Sequence, residues 1–152
     1  EAEIGKLDAE IFRRAKANEI ARRLMTVPAI GPLIATAIAV LAPPPETFRK
    51  ARDFAAWLGL TPRQHSTGGK QRLGATTKMG ERSLRRLLII GANSVIIKRH
   101  VHAAAKSGTW LGGMLTRKPQ MLVRVALANK MARIAWALMA RGGVYKAPAM
   151  AA

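Results

Sequence analysis

The sequence predicts an all-α domain, and three observations carry that prediction. Apolar residues recur at helical three-and-four spacing, no run sustains the strict alternation of a strand, and Pro and Gly fall where the periodic runs stop. Strands are therefore expected to be short at most, and no internal repeat is present. Residues 2–25 read as the first helix. Ile4, Leu7 and Ile11 keep the spacing, Ala15 follows one step on, and the remaining faces are charged. The pattern resembles the end of a coiled coil, although a helix packed on its own domain fits so short a stretch equally well.

Residues 28–42 form the next unit. A helix ends near Thr26, a tight turn carries Gly31, and Pro32 opens the following helix at its first position, where its fixed φ and missing N–H cost nothing. This resembles a helix-hairpin-helix, a DNA-binding element whose turn offers backbone N–H groups to a phosphate. Ala29 stands where that element usually has its first glycine, and a plain corner between two helices reads the same way. Pro43, Pro44 and Pro45 stop the helix. A short helix at about 49–58 carries Phe54, Ala55, Trp57 and Leu58, and a loop runs from Gly59 to Met79. Residues 82–106 form a long helix with Leu84, Leu87, Leu88, Gly91 and Val95 on its core side, Gly91 marking close packing against another helix. A linker at 107–117 leads to a last helix from Pro119 to Arg141, stopped by Gly142 and Gly143, with a flexible tail at 142–152. The expected organisation is a coiled-coil-like helix over 1–25 and a helical domain over 26–141.

Composition narrows the function. The chain has 152 residues, enough for one domain with a real core, and 49% of them are apolar, which excludes a disordered basic tail. Its 26 Lys and Arg against 8 Asp and Glu give a formal charge of +18, so the surface attracts polyanions. The asymmetry is sharper still: every carboxylate lies at or before Glu81, while thirteen Lys and Arg follow it. A solvated helix face normally mixes both signs. Nucleic acid is favoured over an anionic membrane, because no helix joins a broad apolar face to an uninterrupted basic one. With no cysteine, disulfides and thiolate metal sites are excluded. No signal peptide is visible, and the apolar runs 27–45 and 119–140 are broken by prolines or by Arg124, Lys130 and Arg133. A cytoplasmic, nucleoid-associated protein is expected. The first residue is Glu1, in mid-helix pattern, which suggests a piece of a longer protein.

The chemistry concentrates in Ser66-Thr67-Gly68-Gly69-Lys70. Gly68 and Gly69 let backbone N–H groups approach a phosphate, and Arg63, Lys70 and Arg72 surround it with positive charge. Taken alone the pentapeptide also reads as an ordinary turn. Lys78, Arg82, Arg85 and Arg86 extend the basic surface into the next helix, although solvated Lys and Arg are common. His65 neighbours Ser66 as a possible proton shuttle, but adjacent side chains rarely point the same way. His100 and His102 lack further ligand-type neighbours. Trp57, Trp110 and Trp136 have the chemistry to stack on bases, yet at helical spacing among aliphatics such residues usually belong to a core.

The ordered combination carries a resemblance. Ala56-Trp57-Leu58-Gly59-Leu60-Thr61-Pro62, then Ser66 to Lys70, then Thr77-Lys78-Met79-Gly80, then Leu84-Arg85-Arg86-Leu87-Leu88 and Gly91-Ala92 resemble the C-terminal domain of insertion-sequence family 110 transposases, with their 116, 902 and 1111 relatives. Pro28-Ala29-Ile30-Gly31-Pro32 matches the helix-hairpin-helix that opens that domain, and the likeness runs over roughly 25–141. The resemblance implies a DNA-recombining enzyme. An N-terminal half similar to RuvC-type resolvases binds Mg2+ through four acidic residues, and a coiled coil joins it to a helical domain whose serine attacks DNA. Subunits complete each other's active sites, implying a homo-oligomer, and a structured RNA selects the DNA. It further implies Ser66 as the nucleophile, with Thr67 the alternative. Gly31, Arg63, Gly68, Gly69, Lys70, Arg72, Lys78, Arg82, Arg85 and Arg86 then hold phosphate. No carboxylate cluster suited to Mg2+ is visible in residues 1–152, so this domain alone is expected to be inactive, with no metal of its own. Two other readings compete: a non-catalytic helix-hairpin-helix module, and a basic RNA-associated protein of ribosomal type.

Overall fold

A computed structural model describes residues 1–65, 67–101 and 109–147. Seven helices and one two-stranded ribbon make up the described fold: α1 (Ala2–Ala17), α2 (Glu19–Leu24), α3 (Pro32–Leu41), α4 (Ala51–Trp57), β1 (Pro62–Gln64), β2 (Leu73–Thr76), α5 (Arg82–Val101), α6 (Trp110–Arg117) and α7 (Gln120–Arg141). The predominantly helical class is as predicted. A 3₁₀ turn at Pro45–Thr47 follows the proline run that ends α3.

One core unites α2, α3, α4, α5 and α7. Leu24, Ile38, Phe54, Leu58, Leu84 and Leu88 are fully buried in it, and Ala128, Met131, Ala132 and Ala135 line the α7 side. Small residues on α7 let the neighbouring helices approach closely. Gly91 does the same on α5. A methyl group there would lie 2.7 Å from the Ala29 carbonyl oxygen and 2.9 Å from Ile34 Cδ1, so the α2–α3 turn rests directly on the glycine. A smaller cluster of Ile96, Leu111 and Val123 closes the far end of α5.

Three expectations need correction. The helix predicted over 2–25 breaks at Asn18, whose backbone is extended and whose side-chain oxygen accepts the Ala21 N–H at 2.9 Å. Asn18 therefore caps a new helix, and the intact apolar spacing on either side hid that break. The supposed linker at 107–117 contains α6, capped by Thr109 accepting from the Gly112 N–H at 3.1 Å. The Gly112-Gly113 pair argued against a helix, but Leu111 burial outweighs the propensity cost. The long helix predicted over 82–106 is present from Arg82 to Val101, and residues 102–106 lie outside the described residues. Finally, the tail expected from 142 is tied down at Tyr145, whose N–H donates to Thr26 Oγ1 at 2.9 Å and whose ring packs on the core, while residues 148–152 lie outside the described residues. α7 ends as predicted, at Gly142 with φ 75.

α1 differs from the other long helices. Ile4, Leu7 and Phe12 are exposed, while Ala15 is buried where the helix meets α3. Glu10 accepts from Arg13 and Arg14, whose guanidinium groups lower its pKa to about 2.

Candidate nucleic-acid interface

Residues 59–81 leave the helical core as a β-hairpin, not an open loop. β1 and β2 pair antiparallel, with Pro62 opposite Thr76 and Gln64 opposite Leu73. The His65 N–H continues the ladder to the Arg72 carbonyl at 2.8 Å, and Thr67 and Lys70 close the tip. Gly68 and Gly69 sit between them at φ 60 and φ 78, the doubly positive conformation that two-residue hairpin turns demand. The Gly-Gly pair is thus a turn by necessity, and it sets Thr67 and Lys70 on either side of the tip.

The root of this hairpin is held tightly. Lys78 and Glu81 donate backbone N–H bonds to Gly59 and Trp57 at 3.2 Å each, and Thr77 donates to Thr61 at 2.9 Å. Gly59 and Gly80 make the crossing possible. A methyl on Gly59 would lie 2.0 Å from the Met79 carbonyl oxygen, and one on Gly80 would lie 1.8 Å from that of Trp57. Asn129 on α7 donates to the Leu60 carbonyl at 3.1 Å, and Arg85 on α5 donates to the Leu58 carbonyl at 3.1 Å. The tip therefore projects from a fixed base. Both root glycines stood in the sequence string, but nothing local announced their steric role.

The structure sorts the predicted residues. Arg63, Thr67, Gly68, Gly69, Lys70 and Arg72 are all exposed on the hairpin, and no atom lies within 4 Å of where a side chain on Gly68 or Gly69 would start. Ser66 and His102 lie outside the described residues, as does the side chain of His100. Lys78 is exposed at the root with φ 54, a left-handed conformation uncommon for a lysine. Arg82 and Arg86 share an exposed face of α5 one turn apart, whereas Arg85 is half-buried and spends a donor on the α4 terminus. His65 is exposed, and its ring lies over Gly74, where a methyl would meet the imidazole at 2.8 Å.

Gly31 belongs to a different part of the surface. It precedes Pro32 as the N-terminal cap of α3, with φ −84, and Ala29 beside it takes φ 74. Ala29 thus holds the left-handed conformation that a glycine adopts more easily. The turn faces α5 across an open groove of about 580 Å³, lined by Val27, Gly31, Leu33, Ile90, Ser94 and Lys98 among others. Gly31 and the β-hairpin do not converge on one pocket.

Electrostatically the two halves of the chain differ. The ion pairs Glu3–Lys6, Glu10–Arg13, Glu10–Arg14 and Glu19–Arg23 all lie on α1 and α2. Beyond Glu81, whose carboxylate accepts the Ser83 N–H at 2.8 Å at the start of α5, the sequence holds no acid to neutralise Arg82, Arg86 or the cations of α7. Among the described residues no three His, Cys, Asp or Glu side chains gather as a metal site would require, and no helix is long and apolar enough to cross a membrane.

Residues 21–108 match the family described as "Transposase IS116/IS110/IS902 family". The chain belongs to this transposase family. Its matched region contains most of α2 and all of α3, α4, the β-hairpin and α5, which are the elements that build the surface just described. Among relatives, the chain is 48% identical over 146 residues to a protein of Pseudomonas aeruginosa named as a family 20 transposase, covering 96% of this chain and 43% of that protein. It is 44% identical over 144 residues to a protein of Sinorhizobium fredii named as transposase y4pF/y4sB, covering 95% and 37% respectively. It is 38% identical over 144 residues to the Coxiella burnetii transposase for insertion sequence element IS1111A, covering 94% and 39%. The chain thus spans roughly two fifths of the length of these family members.

Proposed function

We propose that this chain is the DNA-gripping and nucleophile-bearing part of an insertion-sequence transposase, with the β-hairpin as its reactive element. The observation that carries this reading is the hairpin itself. A rigidly rooted arm presents Thr67, Gly68, Gly69 and Lys70 at its tip, flanked by exposed Arg63 and Arg72, on a protein with no carboxylate beyond Glu81. Ser66, which precedes Thr67 in the sequence, is the proposed nucleophile, and Thr67 is the alternative. In the step, the serine oxygen bonds to phosphorus and one deoxyribose oxygen leaves. The serine proton passes to a base, and the leaving oxygen gains a proton. Arg63, Lys70 and Arg72 stabilise the charge that grows on the phosphoryl oxygens. Lys78, Arg82 and Arg86 extend the grip along the backbone, and the amides around Gly31 meet a second phosphate in the manner of a helix-hairpin-helix.

The carboxylates of this chain are spread over α1, α2, the 3₁₀ turn, α4 and the approach to α5, so they do not suit a magnesium site, and no step here is routed through a metal. Activity is proposed to need a separate acidic RuvC-like half, a second subunit and a structured guide RNA. The test is Ser66→Ala in a full-length relative. Strand exchange is lost while DNA affinity stays at the wild-type value. Retained strand exchange would move the nucleophile to Thr67, and retention in a variant with Ser66→Ala and Thr67→Val together would favour the non-catalytic module, in which the hairpin only binds.

A further inference from the structure

Three tryptophans that look alike in sequence occupy different places. Trp57 stacks on Phe54 with ring centroids 5.8 Å apart, and buried Trp136 donates its indole N–H to the Pro45 carbonyl at 3.1 Å. Trp110 is 41% exposed, with Lys130 Nζ 4.4 Å from its ring centroid. Leaving about two fifths of so large an apolar residue in water forfeits a comparable share of its burial energy, and an exposed cation–π contact returns only part of it.

The surroundings of Trp110 carry one sign of charge. α6 folds back along α7, which brings Trp110, the first residue of α6, against Lys130. Arg117 and Lys118 stand exposed at the other end of α6, about 12 Å further along at the helical rise per residue. No Asp or Glu occurs anywhere in α6 or α7. Asn129, next to Lys130, holds the hairpin root at the Leu60 carbonyl, but the contacts that α6 and the hairpin root make with α5 lie apart. The hairpin root meets α5 at Arg85, whereas α6 packs on α5 at Ile96, roughly 16 Å along the axis.

We propose that α6 and α7 form a second nucleic-acid surface, which takes an unpaired strand by stacking a base on Trp110 while Lys130, Arg117 and Lys118 hold its phosphates. Cations alone would serve any polyanion, a duplex included. The exposed indole is the discriminating group, because only an unstacked base can offer its face to it. RNA and single-stranded DNA share this chemistry. The proposal does not depend on Ser66 or on the hairpin.

The test compares the affinities of this chain for oligo-dT, oligo-U and a DNA duplex of equal length, at fixed salt. Trp110→Ala is expected to weaken binding of at least one unpaired oligomer about 5- to 150-fold, the range for losing one stacked base, with duplex affinity unchanged. Trp110→Phe keeps most of the affinity, and Lys130→Gln lowers the salt dependence. Which oligomer responds tells RNA from DNA. Lys70→Gln with Arg72→Gln serves as the hairpin control and should spare oligomer binding. In the wild type an unpaired oligomer should quench indole emission, and Trp110→Phe should abolish that quenching even if Trp110→Ala unfolds. Equal losses on duplex and oligomer, no loss on either, or quenching that survives in Trp110→Phe would overturn the proposal.

Discussion

Gly80→Ala and Gly69→Ala make the same chemical change in one hairpin, yet the structure assigns them different costs. Both glycines have positive φ, 102 and 78, so each alanine pays the left-handed penalty of about 1–2 kcal/mol. At Gly69 the cost ends there, because nothing lies within 4 Å of the new methyl, and the tip has room to adjust alone. At Gly80 the methyl would stand 1.8 Å from the Trp57 carbonyl oxygen and 2.8 Å from its carbon. Contacts under 3.0 Å essentially never occur there, so backbone must retreat by more than an ångström. The same carbonyl accepts the Glu81 N–H, so the bond that shuts the hairpin root goes with it. Overpacking adds about 1–3 kcal/mol or more. At about 2–4 °C per kcal/mol for a chain of this size, Gly80→Ala should melt about 2–12 °C lower than Gly69→Ala. Circular dichroism during heating measures the difference, and hydrogen exchange at Glu81 reports the root directly. Equal melting shifts with an unchanged Glu81 exchange rate would refute this account of the root.

Three further outcomes follow from the same structure. Asn18→Ala removes the side-chain acceptor that caps α2 and should cost about 1 kcal/mol by chemical denaturation, whereas Asn18→Asp should retain most of it. Glu10 has its pKa lowered to about 2 by its bonds to Arg13 and Arg14, so its contribution is complete above its ordinary value near 4.5 and vanishes as pH falls through about 2. The helicity of α1 should therefore fall progressively between about pH 4.5 and pH 2 in the wild type, while Glu10→Gln should flatten that part of the titration. Lys70→Gln with Arg72→Gln should weaken duplex binding across sequences and lower the slope of log affinity against log salt by about two, one for each cation that meets a phosphate.

The sequence made some parts of this structure readable and concealed others for physical reasons. The core of α5 was legible because Leu84, Leu88 and Gly91 repeat on one helical face, and each is buried. Gly142 announced the end of α7 because few other residues take its φ of 75. The hairpin was only half legible. Gly68-Gly69 signalled a turn, but the strands are three and four residues long, with an irregular register, and β1 is exposed while β2 half-buries only Gly74 and Thr76, so no apolar alternation marked them. α6 was hidden by its own glycines, since its stability comes from Leu111 reaching Ile96 and Val123, a contact no local window contains. The basic character of the candidate interface was plain from composition. The rooting of the hairpin through Gly59, Gly80, Arg85 and Asn129 was not, because those residues meet only once the helices have packed.

The central claim is that a hydroxyl on this hairpin becomes covalently joined to DNA. The most direct measurement supplies a full-length enzyme carrying this domain with its DNA and RNA, traps the covalent protein–DNA species, and maps the attachment by mass spectrometry. The account predicts a phosphodiester on Ser66, and attachment at Thr67 would keep the mechanism while moving the nucleophile by one residue. Strand exchange with DNA attached to neither residue, or no adduct despite tight, salt-sensitive binding, would contradict it.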